Sequence, residues 1–129
     1  MSNFPQLYSE HCADMSVHTF RVQIVFGSTA IASYTAPPGV TVARDNAGEY
    51  TLTLPQPYLR VQAWADGWYR PTGAALDARM VDKSALGTTG VIEFQTVVDA
   101  GTATDPTSGD ELTLIVSVTQ ESQNAEYGG

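Results

Sequence analysis

The chain has 129 residues, a formal net charge of −8 and only six Lys and Arg residues. Nucleic acids and anionic membranes are bound through clusters of basic side chains, so these six scattered residues argue against both kinds of partner. A chain of this length fits one domain with a sizeable core.

The first sixteen residues show no sustained hydrophobic period, although they include three large apolar side chains, Phe4, Leu7 and Tyr8. Residues 1–16 are therefore predicted to form an extended N-terminal arm. Such an arm either docks on a neighbouring molecule or folds back on its own domain, and the sequence leaves both interpretations open. Phe4, Leu7 and Tyr8 are taken as candidate protein-contact residues.

The N-terminus has neither the basic nor the apolar region of a signal peptide, and no apolar run is long enough to span a bilayer. We therefore expect a protein that stays in the cytoplasm, or in a particle assembled there. Cys12 is the only cysteine, so an intrachain disulfide is excluded. It is interpreted as an incidental thiol rather than a nucleophile paired with His11, because sequence neighbours point in different directions.

Alternation of apolar and polar residues predicts seven strands, at residues 17–26, 29–35, 40–44, 49–54, 58–65, 91–98 and 111–119. Turn-forming residues separate them: Asp45-Asn46-Ala47-Gly48 precedes the fourth strand, and Asp66-Gly67 is predicted to form a tight turn after the fifth. Residues 74–86 have spacing that suits a helix or a strand. They are interpreted as a strand or mixed loop because their surroundings are β, and residues 87–90 are interpreted as a loop.

Seven or eight short strands with frequent turn signals indicate an all-β fold, an antiparallel β-sandwich or a barrel-like domain. This single domain is predicted to cover residues 17–119. A flexible C-terminal tail, residues 120–129, is predicted to follow it.

The sequence contains no recognisable reactive constellation. Asp99, Asp105, Asp110 and Glu111 surround a long polar loop, and oxygen ligands gathered in a loop are what calcium requires. Their spacing fits no calcium-binding motif, so solvated loop acids are the favoured interpretation. A zinc site normally needs three or four ligands, and His11 and His18 have only Cys12 as a further nearby candidate, so the sequence argues only weakly for one. The chain is therefore predicted to be non-enzymatic, without cofactor or metal.

Three aromatic residues, Trp64, Trp68 and Tyr69, cluster around the predicted Asp66-Gly67 turn. Simple alternation places Trp64 on the strand face opposite Val61. If that face is exposed, the aromatics form a protein-contact surface or, as an alternative, a platform for a sugar ring. If it is buried, Trp64 belongs to the core and Trp68 closes one end of the domain. All three residues are kept as candidate protein-contact residues.

Several short segments resemble small β-rich structural proteins of tailed bacteriophages, of the capsid decoration, or cement, type. The segments are Gly48-Glu49-Tyr50-Thr51-Leu52-Thr53-Leu54, the strand that runs to Trp64, Phe94-Gln95-Thr96, Asp105-Pro106 and the Val-rich closing strand. Residues 74–86 depart from the pattern of these proteins, and no functional residue transfers at single positions.

The resemblance implies a non-enzymatic virion protein that assembles in the host cytoplasm and attaches to the capsid exterior. Its partners would be the major capsid protein and further copies of itself, with a homotrimer favoured. The alternative roles are a glycan- or receptor-binding module of a tail or fibre, or a tail-tube or adaptor component.

Overall fold

The computed structural model describes residues 17–98 and 101–120, and these form eight strands and one short helix. Their bounds are β1 (Val17–Phe26), β2 (Ile31–Thr35), β3 (Thr41–Asn46), β4 (Glu49–Thr53), β5 (Arg60–Tyr69), β6 (Asp77–Asp82), α1 (Leu86–Thr89), β7 (Val91–Val97) and β8 (Glu111–Thr119). The predicted arm, with Phe4, Leu7 and Tyr8, lies outside the described residues. So does the predicted tail beyond residue 120.

The prediction of an all-β antiparallel sandwich is confirmed. The described strands form two four-stranded sheets, which we call sheet 1, with the order β2-β1-β8-β5, and sheet 2, with the order β3-β4-β7-β6. Each sheet keeps two edge strands, so the domain is a sandwich and not a closed barrel. The uncertain segment 74–86 contains strand β6, in which the buried Ala78 alternates with the exposed Asp77 and Arg79.

The core lies between the two sheets and follows the period-two pattern of their central strands. In β8 the inward residues are Leu112, Leu114, Val116 and Val118, and none of them is accessible to solvent. Opposite them, β4 and β7 contribute inward residues such as Leu52, Ile92 and Phe94. Burial of these side chains supplies the main driving force for folding.

Strand β5 differs from its prediction in length and in the direction of its side chains. It continues through Asp66-Gly67 to Tyr69, so the predicted tight turn at these two residues is wrong. A register shift between Val61 and Ala63 inserts one extra residue, as in a β-bulge. Past the bulge, Trp64 faces the core together with Val61, whereas simple alternation placed them on opposite faces.

Residues 87–90 were predicted as a loop, but residues 87–89 belong to the short helix α1 (Leu86–Thr89), so the prediction is wrong there. Leu86 is buried, and its carbonyl accepts a hydrogen bond from the backbone N–H of Tyr58 at 3.1 Å. This contact to a distant part of the chain fixes the helix in place, which explains why local composition did not predict it.

Candidate contact surfaces

The residues around Trp64 form a clip that joins the edge strands of the two sheets. Trp64, Asp66 and Trp68 all point inward from β5, because they pair with the inward residues of β8. The Trp64 Nε1–H donates to the carbonyl of Ala78 at 3.0 Å, and the Ala78 N–H donates to Asp66 Oδ2 at 2.8 Å. Trp68 Nε1–H donates to the same carboxylate oxygen at 2.9 Å. The backbone N–H and C=O of Ala78, which lie at the edge of sheet 2, therefore both have hydrogen-bond partners in the clip.

Both tryptophans also belong to a chain of aromatic rings that crosses the core. Trp68 stacks on Phe26 with 5.9 Å between ring centroids, and Trp64 packs against Phe94 at 5.6 Å. Tyr50 lies between Phe26 and Phe94, at 5.6 and 5.3 Å respectively. The two tryptophans are thus partly buried against the core, and one ring face of Trp68 is covered by Phe26.

Of the three predicted contact residues that the structure describes, Tyr69 is the most exposed to solvent. It lies on the outer side of β5, and it is 60% exposed. Its neighbours on the same side of β5 are small: Gly67, Ala65 and Ala63. A large aromatic ring beside a row of small side chains suits contact with another protein surface.

Asp105, one of the predicted loop acids, forms a paired charge at the end of the β3–β4 hairpin. Arg44 donates to both carboxylate oxygens, from Nε at 3.1 Å and from Nη2 at 2.8 Å. The Gly48 N–H donates to Oδ1 at 2.9 Å. Because the carboxylate accepts these bonds when ionised, the Arg44 guanidinium, and to a lesser degree the Gly48 N–H, lower the pKa of Asp105.

Asp110 is held by a second arginine at the opposite end of the polar loop. Arg70 Nε donates to Asp110 Oδ2 at 2.7 Å, and the N–H of Thr107 donates to the same oxygen at 2.7 Å. The Asp110 side chain is only 1% exposed and that of Arg70 is 12% exposed.

These two arginine pairs engage Asp105 and Asp110, two of the four acids considered for calcium. Glu111 is exposed, and Asp99 lies outside the described residues. Within residues 17–98 and 101–120, no three His, Cys, Asp or Glu side chains gather closely enough to hold a metal ion.

The pKa of Tyr50 makes the stability of the fold depend on pH. Burial, together with the negative charge of Asp105, raises the pKa of Tyr50 to about 12. Between the ordinary tyrosine value of about 10 and this raised value, the unfolded chain loses its proton while the folded chain keeps it. The resulting stabilisation is fully present below about pH 10 and is lost as the pH rises toward 12.

We therefore expect the unfolding free energy of the native chain to fall by about 1–2 kcal/mol more than that of Tyr50→Phe between pH 9 and pH 11.5. Denaturant titrations followed by tryptophan fluorescence at several pH values measure this difference. Parallel pH profiles for the two proteins would contradict the raised pKa.

The outer face of sheet 2 is strongly acidic. Five carboxylates point outward from its strands, and one cation accompanies them, Arg79. The five are Asp45, Glu49, Asp77, Asp82 and Glu93. We call this surface the acidic face. Three of its carboxylates, with Gln95 and Val81, line a shallow depression at one end.

The outer face of sheet 1 is nearly uncharged by comparison. Its charged residues are Arg21, Arg60 and Glu111, and the other outward positions carry small or neutral side chains. These positions are Thr19, Gln23, Val25, Ser33, Thr35, Ala63, Ala65, Gly67, Tyr69, Thr113, Ile115 and Ser117. We call this surface the low-charge face. Ile115 lies on a central strand and is nevertheless 44% exposed.

No family model, curated protein or solved structure matches this chain. The function of the chain is therefore inferred from the surfaces described above. In the described part of the chain, no helix has the length and apolar character needed to cross a bilayer.

Sequence reasoning missed Asp66, which it assigned to a turn, and it missed the arginine partners of Asp105 and Asp110. It named Trp64, Trp68 and Tyr69, but only the last of these presents most of its surface to solvent. Alternation within β1 and β8 was available from the sequence. The low-charge face became apparent only from the sheet order, which places β8 between β1 and β5.

Proposed function

We propose that this chain is a non-enzymatic structural protein of a phage virion, which binds the exterior of the capsid and stabilises the shell as a homo-oligomer. The difference in charge between the two outer faces of the sandwich is the observation that carries the proposal. The outward side chains of the acidic face, five carboxylates and Arg79, carry a net charge of −4, and those of the low-charge face, Arg21, Arg60 and Glu111, carry +1. A protein that coats a particle needs one side suited to contact and one side that stays hydrated.

The acidic face suits the side directed to solution. Carboxylates keep a protein surface soluble and repel nucleic acid and other acidic surfaces. A coat of such faces around a particle would also resist aggregation between particles.

Two of the segments that resemble phage decoration proteins lie in the centre of sheet 2. Gly48 to Thr53 forms the turn and strand β4, and Phe94-Gln95-Thr96 lies in the adjacent strand β7. In this proposal they supply a rigid scaffold. Attachment to the shell is assigned to the predicted contact residues Phe4, Leu7 and Tyr8, which lie outside the described residues.

Co-sedimentation tests this function directly. The full chain is mixed with capsids of the phage that encodes it, prepared without this protein, and the bound copies per shell subunit are counted. We expect saturable binding and a higher melting temperature of the decorated shell. A triple substitution, Phe4→Ala with Leu7→Ala and Tyr8→Ala, is expected to weaken binding, whereas Val81→Ala, an exposed apolar control, should leave it unchanged.

Absence of binding at any concentration would overturn the proposal. Binding of the native chain to a glycan array, lost on Tyr69→Ala, would instead favour the alternative role as a receptor- or glycan-binding module. Tyr69 is the suitable probe because, among the large apolar side chains of the described residues, it is the most exposed.

A further inference from the structure

We propose that two copies of this chain associate face to face through the low-charge face, as a two-fold symmetric dimer. The inference concerns the free protein: the dimer covers the low-charge face, so this face can contact a shell only when the two copies have separated. It rests on the charges, the strand register and the side-chain sizes of sheet 1.

Electrostatics selects the low-charge face for self-association. Each copy carries a net charge of −8, and contact between two acidic faces would bring ten carboxylates together. Like charges placed opposite each other across an interface oppose association. The low-charge face carries Arg21 and Arg60 with one carboxylate, Glu111. It is thus the sheet surface on which two copies meet without stacking negative charge on negative charge.

The register of β1 and β8 makes this face complementary to itself. Gln23 pairs with Thr113, Arg21 pairs with Ile115 two residues to one side, and Val25 pairs with Glu111 two residues to the other side. The two-fold axis lies in the plane of the interface, perpendicular to the strands and above the row formed by Gln23 and Thr113. Rotation about this axis places the row of Val25 and Glu111 of one copy over the row of Arg21 and Ile115 of the other. It brings Glu111 of the second copy over Ile115 and therefore beside Arg21.

The distances allow this contact. Neighbouring strands lie about 4.8 Å apart, and two stacked sheets lie about 10 Å apart. The Cα atoms of Arg21 and of Glu111 in the second copy are then roughly 11 Å apart, which these two long side chains span. By symmetry the pair forms twice, as an isologous interface requires.

The same axis places the exposed tyrosine over small residues. Tyr69 pairs with Glu111, and Ala65 pairs with Ile115, so these two positions of β5 also exchange. Tyr69 of one copy lies over Ala65 of the other and beside its Ile115. A large ring thus meets a small side chain and an exposed aliphatic one, and aromatic rings in such positions often dominate the energy of an interface.

The size of the face predicts a weak complex. Four strands about 4.8 Å apart, with about seven residues each at 3.3 Å per residue, present roughly 440 Å² per copy in projection. The total of about 880 Å² lies below the roughly 1,200 Å² at which stable interfaces begin and falls in the range of weak, transient ones. We therefore expect a dissociation constant in the micromolar range or weaker, which is measurable at concentrations up to several hundred micromolar.

Sedimentation equilibrium of the full chain tests the proposal. The native chain is expected to form dimers as its concentration rises. Arg21→Glu and Glu111→Arg are each expected to weaken association about tenfold, because each places like charges opposite one another twice. The double exchange, Arg21→Glu with Glu111→Arg, should restore it. Ile115→Lys should reduce dimerisation below detection, and Val81→Lys, at an equally exposed position on the other sheet, should not.

Glu111→Arg separates this arrangement from a general charge effect. It makes the chain less negative, so unspecific repulsion between copies would fall and association would strengthen. Weakening by this variant, with rescue by the double exchange, is expected only from the reciprocal contact. A native chain that remains monomeric throughout the concentration range, a trimer, or a dimer insensitive to all of these variants would overturn the proposal.

Discussion

Replacing Gly48 with alanine is expected to lower the free energy of unfolding by about 3 kcal/mol. Gly48 has φ of +70°, a backbone conformation that disfavours any side chain. A Cβ atom at this position would also lie 2.4 Å from the backbone nitrogen of Thr104 and 2.9 Å from the carbonyl carbon of Ala103. Both are backbone atoms, so the clash cannot be relieved by rotating a side chain.

The neighbourhood of Gly48 explains why the loop lies so close. The carbonyl of Gly48 accepts a hydrogen bond from the Thr96 N–H at 2.9 Å, and the Thr104 N–H donates to the carbonyl of Thr96 at 2.8 Å. The Gly48 N–H in turn donates to Asp105. A displacement that made room for a methyl group would therefore strain several hydrogen bonds at once.

Gly109→Ala is the matched control for this substitution. Gly109 has φ of +93°, at least as unfavourable as that of Gly48, but a Cβ atom added there would have no heavy atom within 4 Å beyond its chain neighbours. We expect Gly109→Ala to cost only about 1–2 kcal/mol. Urea denaturation followed by tryptophan fluorescence compares the two. Equal losses would show that the contact with the loop contributes nothing beyond the backbone conformation.

The second large effect is expected at Asp110. Asp110→Ala removes a buried carboxylate that accepts hydrogen bonds from Arg70 and Thr107, and it leaves the largely buried guanidinium without its counter-charge. Removing one partner of a buried ion pair costs about 3–5 kcal/mol. We expect about 3 kcal/mol here, because Arg70 keeps its bonds to the Ala74 carbonyl and to Thr107 Oγ1.

Asp77→Ala controls for the loss of a negative charge as such. Asp77 and Arg79 lie 3.8 Å apart, and both side chains are more than half exposed. Exposed pairs of this kind contribute about 0–1 kcal/mol. Thermal unfolding of both variants should therefore separate them clearly. A similar, small change in the two melting temperatures would mean that the Arg70–Asp110 pair does not hold the loop to the sheet.

The fold could be predicted from the sequence where contacts follow local pattern. The bounds of β1 and β8 match the alternation of their residues, because each of these central strands buries one face along most of its length. The prediction failed in β5, where one extra residue reversed the direction of the side chains beyond Val61. The register of a strand is set by its neighbours, and a bulge of this kind leaves no signal in composition.

The candidate surfaces were harder to predict for a related reason. Asp66 reads as a turn residue beside Gly67, yet its carboxylate binds the backbone of Ala78, twelve residues away. Arg44 and Asp105 are separated by 61 residues, and Arg70 and Asp110 by 40. These pairs depend on the order of strands in each sheet, which a single sequence with eight similar strands does not specify.

The clip at Ala78 has a consequence for how the molecule avoids fibril formation. An exposed edge strand offers unpaired N–H and C=O groups on which a foreign strand can grow. On β6 the tryptophan indole and the aspartate carboxylate of β5 already occupy both groups of Ala78. A register shift between Met80 and Asp82 interrupts the same edge a few residues further on. Templated addition of strands, the first step toward amyloid, is thereby hindered at these positions of β6.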